Sequence, residues 1–236
     1  MKHDCLYIVM PAYNEEANIE QVIAHWYPVV EAVGGESRLM ILNDGSKDKT
    51  YEKIRECEKK YPRLIGIDKA NEGHGGTILR GYRYAVEAGA DYIFQTDSDG
   101  QTLAEEFPEF WKNREKCGLL IGYRKNRKDG LSRIFVTKIL RLVLFLTFGV
   151  WVRDANTPYR LMRASQLSQV LDKIPEGFFL TNVLMTVIYE KNQMGVTYYP
   201  ITFRPRQGGK NSINMKRIFG IGRQAWKDFR RLRRTI

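Results

Sequence analysis

Short apolar runs, each breaking off into a polar cluster and then an amphipathic stretch, restrict this chain more than any other feature. Leu6-Tyr7-Ile8-Val9-Met10, Leu39-Met40-Ile41-Leu42, Leu64-Ile65-Gly66-Ile67, Tyr92-Ile93-Phe94-Gln95-Thr96 and Leu119-Leu120-Ile121-Gly122 are such runs. Runs without period two suit strands buried on both faces of a parallel sheet. Between the first two, Ile19, Val22, Ile23, Trp26, Val29, Val30 and Val33 recur at spacings of three and four. That pattern predicts a helix from near Ala17, stopped by Gly34-Gly35. Further helices are expected up to about Tyr61, from the Asn71 loop to about Ala88, and from Glu105 to about Lys116. Strand alternating with helix in this way predicts an α/β fold with a mostly parallel central sheet.

Each run ends in chemistry. Tyr13, Asn14 and Glu15 follow the first, Asp44 the second, Asn71 the third, and Asp97 and Asp99 the fourth. In open α/β sheets, ligands bind outside the carboxyl ends of the strands, so these clusters are expected to line one crevice. Asp97-Ser98-Asp99-Gly100-Gln101 is the most telling of them. Two carboxylates one residue apart repel unless a cation lies between them, and they share a face if the strand stays extended. A hard divalent ion, Mg²⁺ or Mn²⁺, suits such oxygens and keeps part of its shell for substrate phosphates. Gln101 adds a carbonyl oxygen. An isolated Asp-x-Asp before glycine reads first as an Asx-rich turn; the other polar loops expected beside it favour the metal instead.

After Gly122 the character changes. Tyr123 to Arg133 carries five cationic residues, Arg124, Lys125, Arg127, Lys128 and Arg133, against Asp129. Ile134 to Val152 is strongly apolar but holds no uninterrupted stretch long enough to span a bilayer, and reads either as a core helix or as one that also touches lipid. A short strand at Arg160–Met162, helices at about Ser165–Leu171 and Phe179–Lys191, and a late strand at Val196–Ile201 follow. Residues 213–236 form a basic amphipathic helix. Ile218, Phe219, Gly222, Ala225, Trp226, Phe229 and Leu232 fall on one face and Lys216, Arg217, Arg223, Lys227, Arg230, Arg231 and Arg234 on the other. Such a helix lies at a membrane interface or docks on its own domain.

Charge follows the same division. The net charge is +11, and from Phe203 onward eleven Lys or Arg face one acid, Asp228. The body is therefore nearly neutral and the tail basic, which suits an anionic surface. Nucleic acid is not the expected partner, because the basic residues lie on an amphipathic helix without the aromatic platform that single-strand binders use. Cys5, Cys57 and Cys117 are scattered, as reduced thiols of a cytoplasmic protein would be. Met1-Lys2-His3-Asp4 leads straight into the first strand, so no signal peptide is expected.

Pro11-Ala-Tyr-Asn-Glu15, Asn43-Asp44-Gly45-Ser46-x-Asp48-x-Thr50, Asn71-x-Gly73-x-Gly75, Asp97-Ser-Asp99-Gly-Gln101, Gly122-Tyr-Arg124, Asp154-x-x-Thr157-Pro-Tyr-Arg160 and Arg206-x-x-Gly209-x-x-Ser212 occur in that order. Together they resemble family 2 glycosyltransferases, and within them the polyprenyl-phosphate, dolichol-phosphate mannosyltransferase-like branch. The resemblance covers nearly the whole chain. It implies a Rossmann-like, GT-A type domain over 1–212, with a donor half at 1–122 and an acceptor half at 123–212. It further implies an inverting transferase with a nucleotide-diphosphate sugar donor, acting peripherally at the cytoplasmic face of a membrane.

Under that resemblance, Pro11, Tyr13, Asn14, Glu15, Asp44, Asn71 and Gly73 receive the nucleoside. Asp97, Asp99 and Gln101 hold the metal beside Ser98. Arg206 and Lys210 close over the diphosphate. Arg124, Arg127 and Arg133 position a lipid phosphate, which is already ionised and needs no base. A hydroxyl acceptor on a glycan needs one, and Asp154 is the candidate; alternatively Asp154 forms a structural ion pair with Arg160. A non-catalytic nucleotide-sugar-binding subunit is the remaining alternative. His74 is a possible donor contact. The chain departs from the family pattern at Asn43, where a second Asp is usual, at Gly100, and at Gly209-Lys210-Asn211-Ser212, where the Lys is displaced.

Overall fold

The computed structural model describes residues 4–124, 131–205, 215–233 and 236, the side chains of 131–137 and 215–222 excepted. Seven strands form one sheet: β1 (Leu6–Ala12), β2 (Arg38–Asp44), β3 (Leu64–Lys69), β4 (Tyr92–Thr96), β5 (Leu119–Arg124), β6 (Tyr159–Arg163) and β7 (Val196–Ile201). Their spatial order is β3-β2-β1-β4-β6-β5-β7. β1 pairs in parallel with β2 and β4, β2 with β3, and β5 with β7. β6 is the exception, antiparallel to both β4 and β5. The chain passes from β5 through a long excursion and returns to fill the gap beside β4.

Alternation along each strand divides the core into two layers. Leu6, Ile8 and Met10 of β1, with Tyr92 and Phe94 of β4, meet α1 (Ile19–Val33), α2 (Thr50–Glu58) and α4 (Phe107–Lys112). Tyr7, Val9 and Ile93 face the other layer. That layer contains α3 (Gly73–Glu87), α5 (Leu131–Phe148), α6 (Ala164–Leu171), α7 (Thr181–Lys191) and α8 (Met215–Leu232). α3 lies close on the sheet because of Gly81: a Cβ there would meet Val9 Cγ1 at 2.5 Å.

The expected elements are present with shifted ends. The helix expected from Glu105 to Lys116 divides into a 3₁₀ turn at Ala104–Glu106 and the shorter α4, which begins with Pro108 in its first turn. α5 begins earlier than Ile134 and stops at Phe148, because Gly149 takes a φ of +75°. α8 docks on its own domain. Ala225, Phe229 and Leu232 are buried, and the Phe229 ring meets Phe148 and Phe178 at centroid distances of 5.6 and 6.3 Å. Each such ring or leucine contributes about 1.5–3 kcal/mol on burial. Trp226 does not share that face: it is exposed, as are Arg223, Lys227, Arg230 and Arg231.

Candidate active site

The polar clusters gather at the carboxyl edge of β1–β4, and side chains hold their loops together. Asn14 N–H donates to Ser46 Oγ at 3.0 Å, and Lys47 N–H to Asn14 Oδ1 at 2.9 Å. Glu15 N–H donates to Thr50 Oγ1 at 2.8 Å, Glu16 N–H to Asp48 Oδ2 at 3.2 Å, and Lys49 N–H to Glu16 Oε2 at 3.0 Å. The Ser46-x-Asp48-x-Thr50 pattern thus bolts the loop after β2 to the loop after β1. Asn14 adopts a left-handed φ of 54°, which Asn tolerates better than most residues. The bolts leave Tyr13 at the rim, 45% exposed, whereas Pro11 lies buried within β1. Glu15 is buried too, and its Oε2 accepts from Asn18 Nδ2 at 2.9 Å.

Asp44 stands at the end of β2 with two donors on Oδ1, the Lys69 ammonium and Glu72 N–H at 2.8 Å. Burial pushes its carboxyl pKa up, but these donors, with the Thr77 hydroxyl beside them, outweigh that and hold it below the ordinary aspartate value. Lys69 is a partner that sequence reading missed. Asn71 Nδ2 caps the Asp44 carbonyl at 2.7 Å. Gly45 permits this approach: its φ is +66°, and a Cβ would stand 2.9 Å from Asn71 N. In place of a second acid, Asn43 donates from Nδ2 to Asp68 Oδ1 at 2.7 Å and accepts from Ser46 Oγ.

The segment from Glu72 to His74, with Gly73 between them at a φ of +74°, links the two acidic positions. Glu72 N–H reaches Asp44, and two residues on His74 Nε2 lies 3.0 Å from Asp97 Oδ1. Desolvation pulls the His74 pKa down, but the Asp97 carboxylate, with Asp44 and Asp99 behind it, outweighs that and raises it. His74 therefore meets an acid of the site itself.

β4 ends at Thr96, so the shared strand face expected of Asp97 and Asp99 gives way to a turn. Asp99 Oδ1 accepts from Gln101 N–H at 3.1 Å, and Gly100 takes a φ of +70°. Ser98 is turned inward, its Oγ donating to the Pro11 carbonyl at 2.8 Å. Gln101 exchanges two bonds with the irregular segment after β7, donating from Nε2 to Arg204 O and accepting at its own carbonyl from Arg204 N–H, each at 2.8 Å. Its amide nitrogen is thereby committed, and Oε1 is the end suited to a cation.

Behind Asp97 lies a buried polar network that no local motif announces. Gln95 Nε2 donates to Asp97 Oδ1 at 3.2 Å. Gln95 Oε1 accepts from Asn182 Nδ2 at 3.0 Å and from Tyr82 O–H at 3.2 Å. Gln95 and Tyr82 are fully buried and Asn182 nearly so. The single Tyr82 O–H is equally close to Asn182 Oδ1, at 3.2 Å, and the Asn182 amide on its carbonyl oxygen leaves Gln95 to present N–H to Asp97. Burial also pushes the Tyr82 hydroxyl pKa up, so it remains a donor.

Asp97 and Asp99 are both partly exposed and offer hard carboxylate oxygens at an open edge. With Gln101 they fit Mg²⁺ or Mn²⁺ held in part by a diphosphate. Among the described residues no three His, Cys, Asp or Glu side chains converge into a cage formed by protein alone.

On the far side of β4, Asp154 is buried in the loop before β6. Arg160, wholly buried, orders that loop. Nε donates to the Thr157 carbonyl at 2.8 Å, Nη2 to the Ala155 carbonyl, and Nη1 to Asn182 O at 3.0 Å and Thr186 Oγ1 at 2.8 Å. Arg124 stacks its guanidinium 3.8 Å from the Phe203 ring centroid. Arg127, Arg206 and Lys210 lie outside the described residues, as does the side chain of Arg133.

Among similar proteins, UDP-N-acetylglucosamine–dolichyl-phosphate N-acetylglucosaminyltransferase of Methanococcus voltae is 26% identical, over 85% of this chain and 86% of its own. Undecaprenyl-phosphate 4-deoxy-4-formamido-L-arabinose transferase of Pseudomonas fluorescens is 22% identical over 92% of this chain, which spans only 62% of that protein's length. Glucosyl-3-phosphoglycerate synthase from Mycobacterium tuberculosis, solved with Mn²⁺, UDP-glucose and phosphoglyceric acid, superposes with a TM-score of 0.70 at 18% identity, over 99% of this chain and 80% of that one. The fold is shared with that GT-A-like enzyme. The family description "Glycosyl transferase family 2" matches residues 7–179, most of the chain, and the chain belongs to that family and is a glycosyltransferase.

Proposed function

We propose that this glycosyltransferase moves a sugar from a nucleotide-diphosphate sugar to a polyprenyl phosphate, with inversion, at the cytoplasmic face of a membrane. The observation that carries this reading is the edge at which Asp44, the Glu72–His74 segment and Asp97 are joined by hydrogen bonds. Tyr13, at the exposed rim, stacks on the base, and Asn14, Glu15, Asn71 and Gly73 shape the nucleoside pocket. Pro11 and Ser98 form its floor. Asp44 reads the base only through lone pairs that Lys69 and Glu72 leave unused. Asp97, Asp99 and Gln101 would hold Mg²⁺ or Mn²⁺, which supplies Lewis-acid neutralisation of the leaving diphosphate. Arg206 and Lys210 follow shortly after Arg204, which is hydrogen-bonded to Gln101, and are assigned to the same diphosphate.

The acceptor phosphate arrives ionised, so its oxygen attacks without a base. Arg124, Arg127 and Arg133 bind and orient it, with the guanidinium fork matching two phosphate oxygens. The relatives named for dolichyl and undecaprenyl phosphate support that acceptor class. Purified protein is to be incubated with a panel of nucleotide sugars, short-chain polyprenyl phosphate and Mn²⁺. The expected product is a polyprenyl-phosphate sugar of inverted anomeric configuration, absent in EDTA. Transfer to a saccharide with none to the phosphate would overturn the reading and make Asp154 the general base.

A further inference from the structure

α5 connects two strand ends at the rim of the site. It follows Arg124 at the end of β5, and the chain beyond it enters β6 at Tyr159, paired with Thr96 just before Asp97. Its inner side is covered: Leu144, Thr147 and Phe148 are buried. Its outer side is bare and apolar, with Ile139, Leu142, Phe145 and Leu146 between 44% and 62% exposed. Trp151 extends this patch, 64% exposed with its ring edge-on to Phe145 at 6.0 Å. Soluble proteins seldom leave so many large apolar side chains bare side by side.

Cations accompany the patch in sequence and on the neighbouring helix. Lys138 and Arg153 are exposed, and Arg153 is fixed by stacking 3.7 Å from the Tyr123 ring centroid. α8, packed on α5 through Phe229 and Phe148, adds exposed Arg223, Lys227, Arg230 and Arg231 and a second exposed tryptophan, Trp226. Asp228 is the one acid on that helix, and it accepts from Gln224 Nε2. Apolar residues framed by tryptophan and by Lys and Arg match the acyl boundary, interface and headgroup layer of an anionic bilayer. No helix among the described residues is long and apolar enough to cross one.

We infer that the outer face of α5, with Trp151, is the surface that seats this enzyme on an anionic phospholipid membrane, and that α8 supplies charge rather than the inserted face. This assignment rests on the proposed lipid-linked acceptor, because α5 lies in the connection between Arg124 and Tyr159, the strand ends at the edge where that acceptor must react. The assignment differs from an interfacial α8, whose Ala225, Phe229 and Leu232 are occupied by the domain.

The test is sedimentation of the full chain with vesicles of phosphatidylcholine plus phosphatidylglycerol, and with phosphatidylcholine alone. Wild type is expected to bind the anionic vesicles. Leu142→Glu with Leu146→Glu is expected to lower the bound fraction about tenfold or more, and Arg230→Glu with Arg231→Glu to lower it less, in a salt-dependent way. Each variant should keep the wild-type melting temperature and transfer to water-soluble short-chain polyprenyl phosphate. That transfer is a separate readout: its failure in wild type refutes the acceptor, whereas failure to bind anionic vesicles refutes the surface. Wild type that ignores anionic vesicles would overturn the inference. So would leucine variants that bind as wild type does, or a stable dimer that those variants dissociate.

Discussion

In the loops after β1 and β2, the backbone N–H groups of Asn14, Glu15, Glu16, Lys47 and Lys49 are each caught by a side chain from across the two loops. Between Arg124 and Tyr159 the plan is reversed. Among the described residues of this stretch, α5 packs on α7 and α8 and is apolar on its outer side as well, and Arg160 gathers the carbonyls of the loop that brings the chain back. The first region is preorganised for a small polar ligand whose shape is constant. The second presents a face, as suits a substrate whose bulk stays in another phase. Under the proposed function, the difference would assign recognition of the donor to hydrogen bonds and recognition of the acceptor to location.

If the first region is rigid by design, removing one group from it should cost far more than a surface change. The largest effect is expected at the turn. Asp99→Ala should lower transfer about 10³-fold or more, because the metal-held diphosphate loses a carboxylate worth several kcal/mol, and metal-dependent donor binding should vanish with it in calorimetry. Next comes Lys69→Met. It leaves a nearly buried Asp44 without its cation and should destabilise the fold by about 3 kcal/mol, read by urea titration. The sign of its pH dependence follows from the lowered Asp44 pKa. The Asp44 contribution is present above the unfolded value, near about 3.9, and is lost as pH falls through the lower folded value.

Gln95→Leu should weaken Mn²⁺ binding about 10- to 100-fold, the range typical of groups that orient a metal ligand. Electron paramagnetic resonance titration reads this without turnover. Wild-type Mn²⁺ affinity in that variant would show that the network behind Asp97 serves stability alone. The smallest effect concerns His74. Its pKa is raised, so its contribution is full below the unfolded value of about 6.5 and disappears as pH rises through the folded one. The melting difference between wild type and His74→Asn should therefore appear in mildly acidic buffer and close in alkaline buffer.

Most of the strands, their parallel pairing and the gathering of polar loops at their carboxyl ends were legible in the sequence, because a strand buried on both faces cannot conceal its apolar run; β3, at the sheet edge, is buried only at Leu64. The approach of Asp44 to the Asp97 turn was legible for the same topological reason. Gln95, Tyr82 and Asn182 were not. A polar residue inside an apolar strand carries no local period, and only the insertion of β6 beside β4, with α7 laid over both, joins these three. The antiparallel direction of β6 was hidden too, since five residues of strand show no orientation. On α8 the periodicity marked an apolar face but not its occupant. The exposure of Trp226 depends on the domain taking Ala225, Phe229 and Leu232 for itself.

The central claim is that the Asp97–Asp99 turn binds a nucleotide-diphosphate sugar through a divalent cation. A thermal-shift panel of nucleotide sugars, with Mn²⁺ and with EDTA, tests it most directly, since a ligand that binds only the folded state raises its melting temperature. At least one nucleotide-diphosphate sugar should raise it in Mn²⁺, with the shift lost in EDTA and in Asp99→Ala. An equal shift in EDTA, or one that survives in Asp99→Ala, would contradict the claim.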